Sequence, residues 1–300
     1  MSRISRRDFL AGLTAAAGAA AFSGQFSRAA EGGAKIKSGT DLVTLGRSDV
    51  QPTLLGVGTG TVGGSQQVGM GQAEFTKMIR HALDRGIRYI DTADMYSTHL
   101  FVRLALQGVP REKYFIQTKT QAKNAEVAKA DIDRLCRELR VKYIDSLLMH
   151  CMTKGTWPTD MRPVMDVLQE AKQKGRVRAV GISSHNMPPL EASVDQGDFI
   201  DVQLVRINPF GVKAMMDGEP EQVAPLVQKM HKQGRGIIGM KIYGETGFRV
   251  KGKDTPESRQ KRLDSLKYVL GLGCVDCFTI GFVDPKQIDE TLELIEQAQA

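Results

Sequence analysis

From about residue 53 onward, short apolar runs alternate with longer segments whose apolar positions fall three and four residues apart. The runs at 54–58, 88–92, 114–119, 143–150, 177–183, 200–205, 236–241 and 277–281 read as buried strands. The segments 75–86, 125–140, 160–175 and 221–234 carry the helical period most clearly. Three of the joints repeat one design: LDRGIRYI, KQKGRVRAV and HKQGRGII each end a basic helix in a glycine and enter a strand at once. Glycine suits the left-handed residue just past a helix, and cations suit its last turn. Gly86, Gly175 and Gly234 therefore mark a repeated βα unit.

Eight strands alternating with helices over about 250 residues predict an α/β fold, the closed (β/α)8 TIM barrel. Ahead of the first barrel strand, LVTLGRSDVQPTLLG reads as a β-hairpin turning at Arg47-Ser48-Asp49 and placed to plug the barrel's bottom. The rival is an open doubly wound sheet, which alternates strand and helix in the same way. It has a literal G-x-G-x-x-G in its favour, Gly58, Gly60 and Gly63. That fingerprint also requires the glycines to open a helix. Here GGSQQVGMGQ follows and reads as loop, with the helix starting near Glu74, so the barrel is preferred.

Composition narrows the class. The 300 residues are 41% hydrophobic and 25% charged, an ordinary globular balance. The net charge is +7, but Arg3, Arg6, Arg7 and Arg28 against Asp8 put +3 of it into the first 29 residues, which leaves +4 scattered over the rest. No basic stripe with interleaved aromatics appears, which argues against nucleic acid. Arg6-Arg7 before a mild Ala/Gly run, with small residues at Ser27 to Ala29, reads as a twin-arginine export signal. The apolar run at 9–22 is short of the roughly 20 residues that a membrane span needs. The expected organisation is a signal peptide at 1–29, a linker at 30–41 and the barrel at 42–300. Export would engage the twin-arginine translocase, deliver the chain already folded to the periplasm, and raise the expectation of a redox cofactor. The four cysteines, Cys136, Cys151, Cys274 and Cys277, show no disulfide framework; the lone Cys274–Cys277 CxxC reads as structural, and no metal site is expected.

In a βα barrel the chemistry sits at the C-terminal ends of the strands. Read end by end, the second strand delivers Asp91 with Tyr96 just beyond, the third Lys119, the fourth His150, and the fifth Ser183-Ser184-His185. Together the first four can protonate an oxygen that gains negative charge. A phenol is a reluctant acid, with a pKa of about 10, and a neighbouring ammonium is expected to lower it. Asp91 would keep Lys119 charged, and His150 would orient a carbonyl. No side chain donates hydride, so the set demands a nicotinamide.

On DTADMY, QTK, YIDSLLMH and RAVGISSHN, the chain from about residue 42 resembles the aldo/keto reductase superfamily. The resemblance implies a nicotinamide-dependent oxidoreductase that interconverts an aldehyde or ketone and an alcohol, with Asp91, Tyr96, Lys119 and His150 catalytic. It also implies cofactor contacts from Thr59, Asp91, Ser183, Ser184, Gln203, Met240, Lys241, Gly281, Gln287 and Glu290. Ser184 stands where the family has Asn, and Met240 where an aromatic often stacks on the ring. The cofactor implied is NADP(H). NAD(H) stays open, because Gly281 and Gln287 occupy the places of the basic residues that hold a 2′-phosphate. Tyr96 and His150 would meet the substrate, and Trp157 is a candidate wall for it. An alternative is an exported barrel that holds the cofactor as a redox sensor with little turnover; another is a dehydrogenase passing its hydride to a periplasmic electron carrier.

Overall fold

The computed structural model describes residues 38–244, 247–248 and 255–300. The signal peptide and most of the linker expected at 1–41 lie outside the described residues. Eight parallel strands close into a barrel in sequence order: β1 (Leu55–Gly58), β2 (Tyr89–Asp91), β3 (Phe115–Thr120), β4 (Ile144–Met152), β5 (Val177–Ser184), β6 (Val202–Arg206), β7 (Gly236–Met240) and β8 (Cys277–Gly281). β1 pairs with both β2 and β8, so no edge is left, and the doubly wound alternative is excluded. Each strand lies within about two residues of its expected position. Parallel strands covered on both sides read as apolar runs for this reason.

Around the barrel run α1 (Ser65–Gly69), α2 (Gly71–Asp84), α3 (His99–Ala105), α4 (Ala125–Leu139), α5 (Trp157–Asp160), α6 (Arg162–Gln173), α7 (Met187–Ser193), α8 (Pro220–Lys232), α9 (Pro256–Gly271) and α10 (Pro285–Gln299). α4 shows why such segments become helices here. Asn124 caps it by accepting from the Val127 amide at 2.9 Å, and Ala128, Ile132, Leu135, Cys136 and Leu139 face inward along one stripe. The three glycine joints hold positive φ, +93° at Gly86, +68° at Gly175 and +84° at Gly234, which a side chain would strain. One expectation needs correction. The segment after Gly64 is not all loop: residues 65–69 wind into a short helix, and α2 begins at Gly71 rather than near Glu74. Val68 donates to the Gly64 carbonyl to close that turn.

The N-terminal hairpin forms. Leu42 bridges Thr53 antiparallel, and the amides of Val43 and Leu45 donate to Pro52 and Val50. Leu45, Val43 and Val50 are buried, and Arg47 N donates to the Gly234 carbonyl at 2.7 Å. A Cβ on Gly236, the first residue of β7, would lie 2.4 Å from Leu45 Cγ. The hairpin thus packs against the strands' N-terminal ends and leaves the chemistry to the opposite rim.

The barrel interior is not purely apolar. Register sets Asp91 beside Gln117 and Gln117 beside Ser146. Gln117 donates to Asp91 Oδ1 at 2.8 Å and to the Tyr89 hydroxyl at 2.9 Å, and accepts from Ser146 Oγ at 2.9 Å. A buried polar layer is tolerated when its members are satisfied, as these are.

Candidate active site

Three strand ends, those of β2, β3 and β4, converge on one group of side chains. Lys119, on β3, is buried and donates from Nζ to Asp91 Oδ1 at 2.7 Å and to the Thr92 carbonyl at 2.8 Å. Its ammonium lies 5.0 Å from the centroid of the Tyr96 ring. The Tyr96 hydroxyl lies 3.3 Å from His150 Nε2, with the two rings edge to face. Tyr96 rides on the one-turn helix Asp94–Tyr96, and a clamp holds that turn: Arg134 of α4 grips both Asp94 oxygens at 2.7 Å and also reaches Asp131 and Glu138. Asp94, His99 and Glu138 have the makings of a metal cluster, but Arg134 supplies a cation there.

The electrostatics correct one expectation. Burial pushes the Tyr96 phenol above its ordinary value; Lys119 pulls it down but does not win, and Asp91 adds to the rise. Tyr96 therefore stays protonated at neutral pH. Burial alone would pull Lys119 down, but Asp91 and Tyr96 outweigh it, and the ammonium is held above the ordinary lysine value. Burial, aided by Lys119 and His185, lowers His150 to about 2, so its imidazole is neutral. His185 falls to about 3, from burial and then Arg206.

A cavity of about 350 Å³ opens at this rim and includes Tyr96, His150, His185, Arg206, Met240 and Lys241 in its lining. Glycines form much of the remaining wall, with Gly58 at the end of β1, Gly60 just beyond it and Gly281 at the end of β8. A Cβ on Gly60 would lie 2.3 Å from the Tyr96 ring, and one on Gly281 would lie 2.0 Å from Thr61 Oγ1. Of the residues expected to hold the cofactor, Met240, Lys241 and Gly281 line this cavity.

The others lie outside that lining. Ser183 Oγ accepts from the Cys151 amide, and Ser184 Oγ accepts from Gln203 Nε2 at 2.8 Å. Gln203 Oε1 is buried without a hydrogen-bond partner. Thr59 is buried, and its hydroxyl meets Thr98, which in turn meets Thr92. Gln287 accepts from the Val283 amide, and Glu290 accepts from Arg262 Nη2 at 2.7 Å. Trp157 does not form the substrate wall expected of it. It is buried, donates to the Pro189 carbonyl at 3.2 Å and packs toward Phe199. Among the described residues the four cysteines are free, and burial raises Cys274 and Cys277, as befits structural thiols.

His185 lies at its expected strand end with no role assigned to it from sequence, and Arg206 is a further cavity residue outside the sequence-derived set. Arg206 is the last residue of β6, the position that the strand-end rule picks out, one place beyond the apolar run at 200–205.

The model of the Aldo/keto reductase family matches residues 54–299. A methylglyoxal reductase DkgB from Salmonella typhi is 30% identical over 138 residues, covering 44% of this chain and 51% of that protein. A glycerol 2-dehydrogenase (NADP(+)) from Saccharomyces cerevisiae is 34% identical over 134 residues, 40% of each chain. The chain thus matches about half the length of these relatives or less. Among solved structures, aldo-keto reductase AKR11C1 from Bacillus halodurans, in its holo form, superposes with a TM-score of 0.67 at 20% identity, over 86% of this chain and 95% of that one. This likeness is one of fold.

Proposed function

The chain belongs to the aldo/keto reductase family, and from that premise we propose that it interconverts a small carbonyl compound and its alcohol with a nicotinamide cofactor. The observation that carries the reading is the buried Asp91–Lys119 pair beneath a Tyr96 whose hydroxyl meets His150. A nicotinamide, when bound, supplies the hydride. The residues fit such a group: Gln203 Oε1 is a buried acceptor that a carboxamide N–H would satisfy, and the glycines at 58, 60 and 281 leave a bare cradle beside Tyr96. Met240, Lys241, Gln203 and Ser184 are the side chains assigned to hold it.

Tyr96 gives its proton to the oxygen that gains charge. Its raised pKa keeps that proton on the phenol at neutral pH until transfer, and Lys119 stabilises the phenolate left behind. Asp91 keeps Lys119 charged inside the barrel, where a lone ammonium would shed its proton. His150, neutral, meets the carbonyl oxygen and sets its direction toward Tyr96.

NADP(H) is the first choice of cofactor on the family's general pattern. Twin-arginine export to the periplasm is proposed on Arg6-Arg7 and the run that follows. A panel of aldehydes and ketones with each cofactor tests the activity: reduction by wild type, lost in Tyr96→Phe while nicotinamide still binds, is the expected result. Full turnover by Tyr96→Phe would defeat the assignment. Export is tested separately, by whether Arg6→Lys/Arg7→Lys retains the chain in the cytoplasm.

A further inference from the structure

Arg206 ends β6 and lines the cavity that holds Tyr96 and His150, with its side chain 19% exposed. Its contacts are long. Nη1 lies 3.3 Å from the Met215 carbonyl, Nη2 lies 3.4 Å from the His185 carbonyl, and Nε lies 3.4 Å from Asp217 Oδ1, too poorly aligned for a hydrogen bond. Asp217 has a side chain with no exposed surface; its carboxylate faces the Arg206 backbone amide as well as the guanidinium, but neither oxygen meets either donor in good geometry. A guanidinium normally takes a carboxylate in short, paired bonds near 2.8 Å, as Arg134 does with Asp94. Arg206 is therefore charge-balanced at a distance, with its fork left underused. A continuous wall connects it to the proton donor: Tyr96 meets His150, the His150 and His185 rings stand 6.1 Å apart, and the His185 carbonyl meets Arg206.

We propose that the carbonyl substrate carries an anionic oxygen group, a carboxylate in the simplest case, and that Arg206 receives it while Asp217 holds the guanidinium's place between turnovers. The inference rests on the carbonyl-reducing reading above. Charges around the cavity agree with it: Arg206, Lys241, Lys119 and Lys123 all bear on His150 or His185, no carboxylate does, and Asp91 and Asp217 are each set against a cation, Lys119 and Arg206. The same guanidinium could meet a phosphate of the dinucleotide, and the test separates the two sources.

The test compares phenylglyoxylate with its methyl ester on wild type, Arg206→Met and Asp217→Asn, with the KM for the nicotinamide cofactor measured in parallel. Wild type is expected to favour the acid. Arg206→Met should lose about 10- to 100-fold in kcat/KM for the acid and change less than about threefold for the ester. Asp217→Asn, which removes the internal competitor, should lower the KM for the acid alone. An equal loss on acid and ester, a preference for the ester in wild type, or a rise in cofactor KM matching the loss would overturn the proposal. Reduction of neither compound would count against carbonyl reduction itself. Calorimetric titration with mandelate then decides the anion site: binding lost in Arg206→Met upholds it, and binding unchanged or absent in wild type sinks it.

Discussion

Lys119 Nζ sits 2.7 Å from Asp91 Oδ1 with both side chains buried, so the charge that governs Tyr96 is itself held by a second charge one strand away. Breaking such a pair from one side leaves an uncompensated ion in the interior, which costs about 3–5 kcal/mol. Lys119→Met and Asp91→Asn are each expected to lower stability by about that much, whereas the double variant should recover part of the loss. Urea unfolding of the three proteins checks this; additive losses would show that the two groups do not act as a pair.

The direction of the Tyr96 shift fixes a pH profile. Its phenol is raised above the ordinary value by burial, with Lys119 opposing. Reduction, which needs the phenol, should stay level through neutral pH and fall only in the alkaline range. Alcohol oxidation, which needs the phenolate, should climb with pH. Lys119→Met removes the downward pull, so its alkaline limb should lie at higher pH than that of wild type. Tyr96→Phe should lose about 10²–10⁴ in kcat.

Neutral imidazoles make the fold acid-sensitive. His150 is lowered to about 2 and His185 to about 3, against an ordinary value near 6.5. Below about pH 6.5 the unfolded chain takes up protons that the folded one refuses, so stability falls with pH by about 1.4 kcal/mol per unit for each. Asp217, raised to about 6 by burial, acts oppositely between its unfolded value and 6, because the folded state holds its proton there. Chemical unfolding between pH 4 and 6 should therefore show a shallower slope in His185→Gln than in wild type, and a steeper one in Asp217→Asn. Parallel slopes in all three would refute the assignment.

The Arg134 clamp on the Tyr96 turn predicts a split between stability and rate. Arg134 and Asp94 are 35% and 25% exposed in their side chains, so removing their pair should cost at most about 1 kcal/mol. Asp94 nonetheless begins the turn that carries Tyr96. Asp94→Asn is expected to lower kcat about tenfold through misplacement of the acid, with little change in melting temperature. Equal, small effects on both would reduce the clamp to a surface ion pair.

The barrel was legible in the chain because each parallel strand is covered on both faces and so appears as an apolar run, and because Gly86, Gly175 and Gly234 mark the same joint three times. The grouping of Asp91, Tyr96, Lys119 and His150 followed from the strand-end rule. Three things were not visible. Residues 65–69 form so short a helix, in SQQVG, that no periodicity can register it. Trp157 lies in a polar stretch, and only the approach of Pro189 and Phe199 from elsewhere in the chain buries it. The sign of the Tyr96 shift is a contest between desolvation and Lys119, and the amount of burial is a property of the assembled barrel rather than of any local segment.

The bare backbone at Gly60 has a practical consequence. Any replacement there would bring a carbon to 2.3 Å from the phenol ring, so the ring or the loop must give way. Position 60 is thus where one added side chain would disturb the proton donor and the floor of the cavity together while every reacting group is retained.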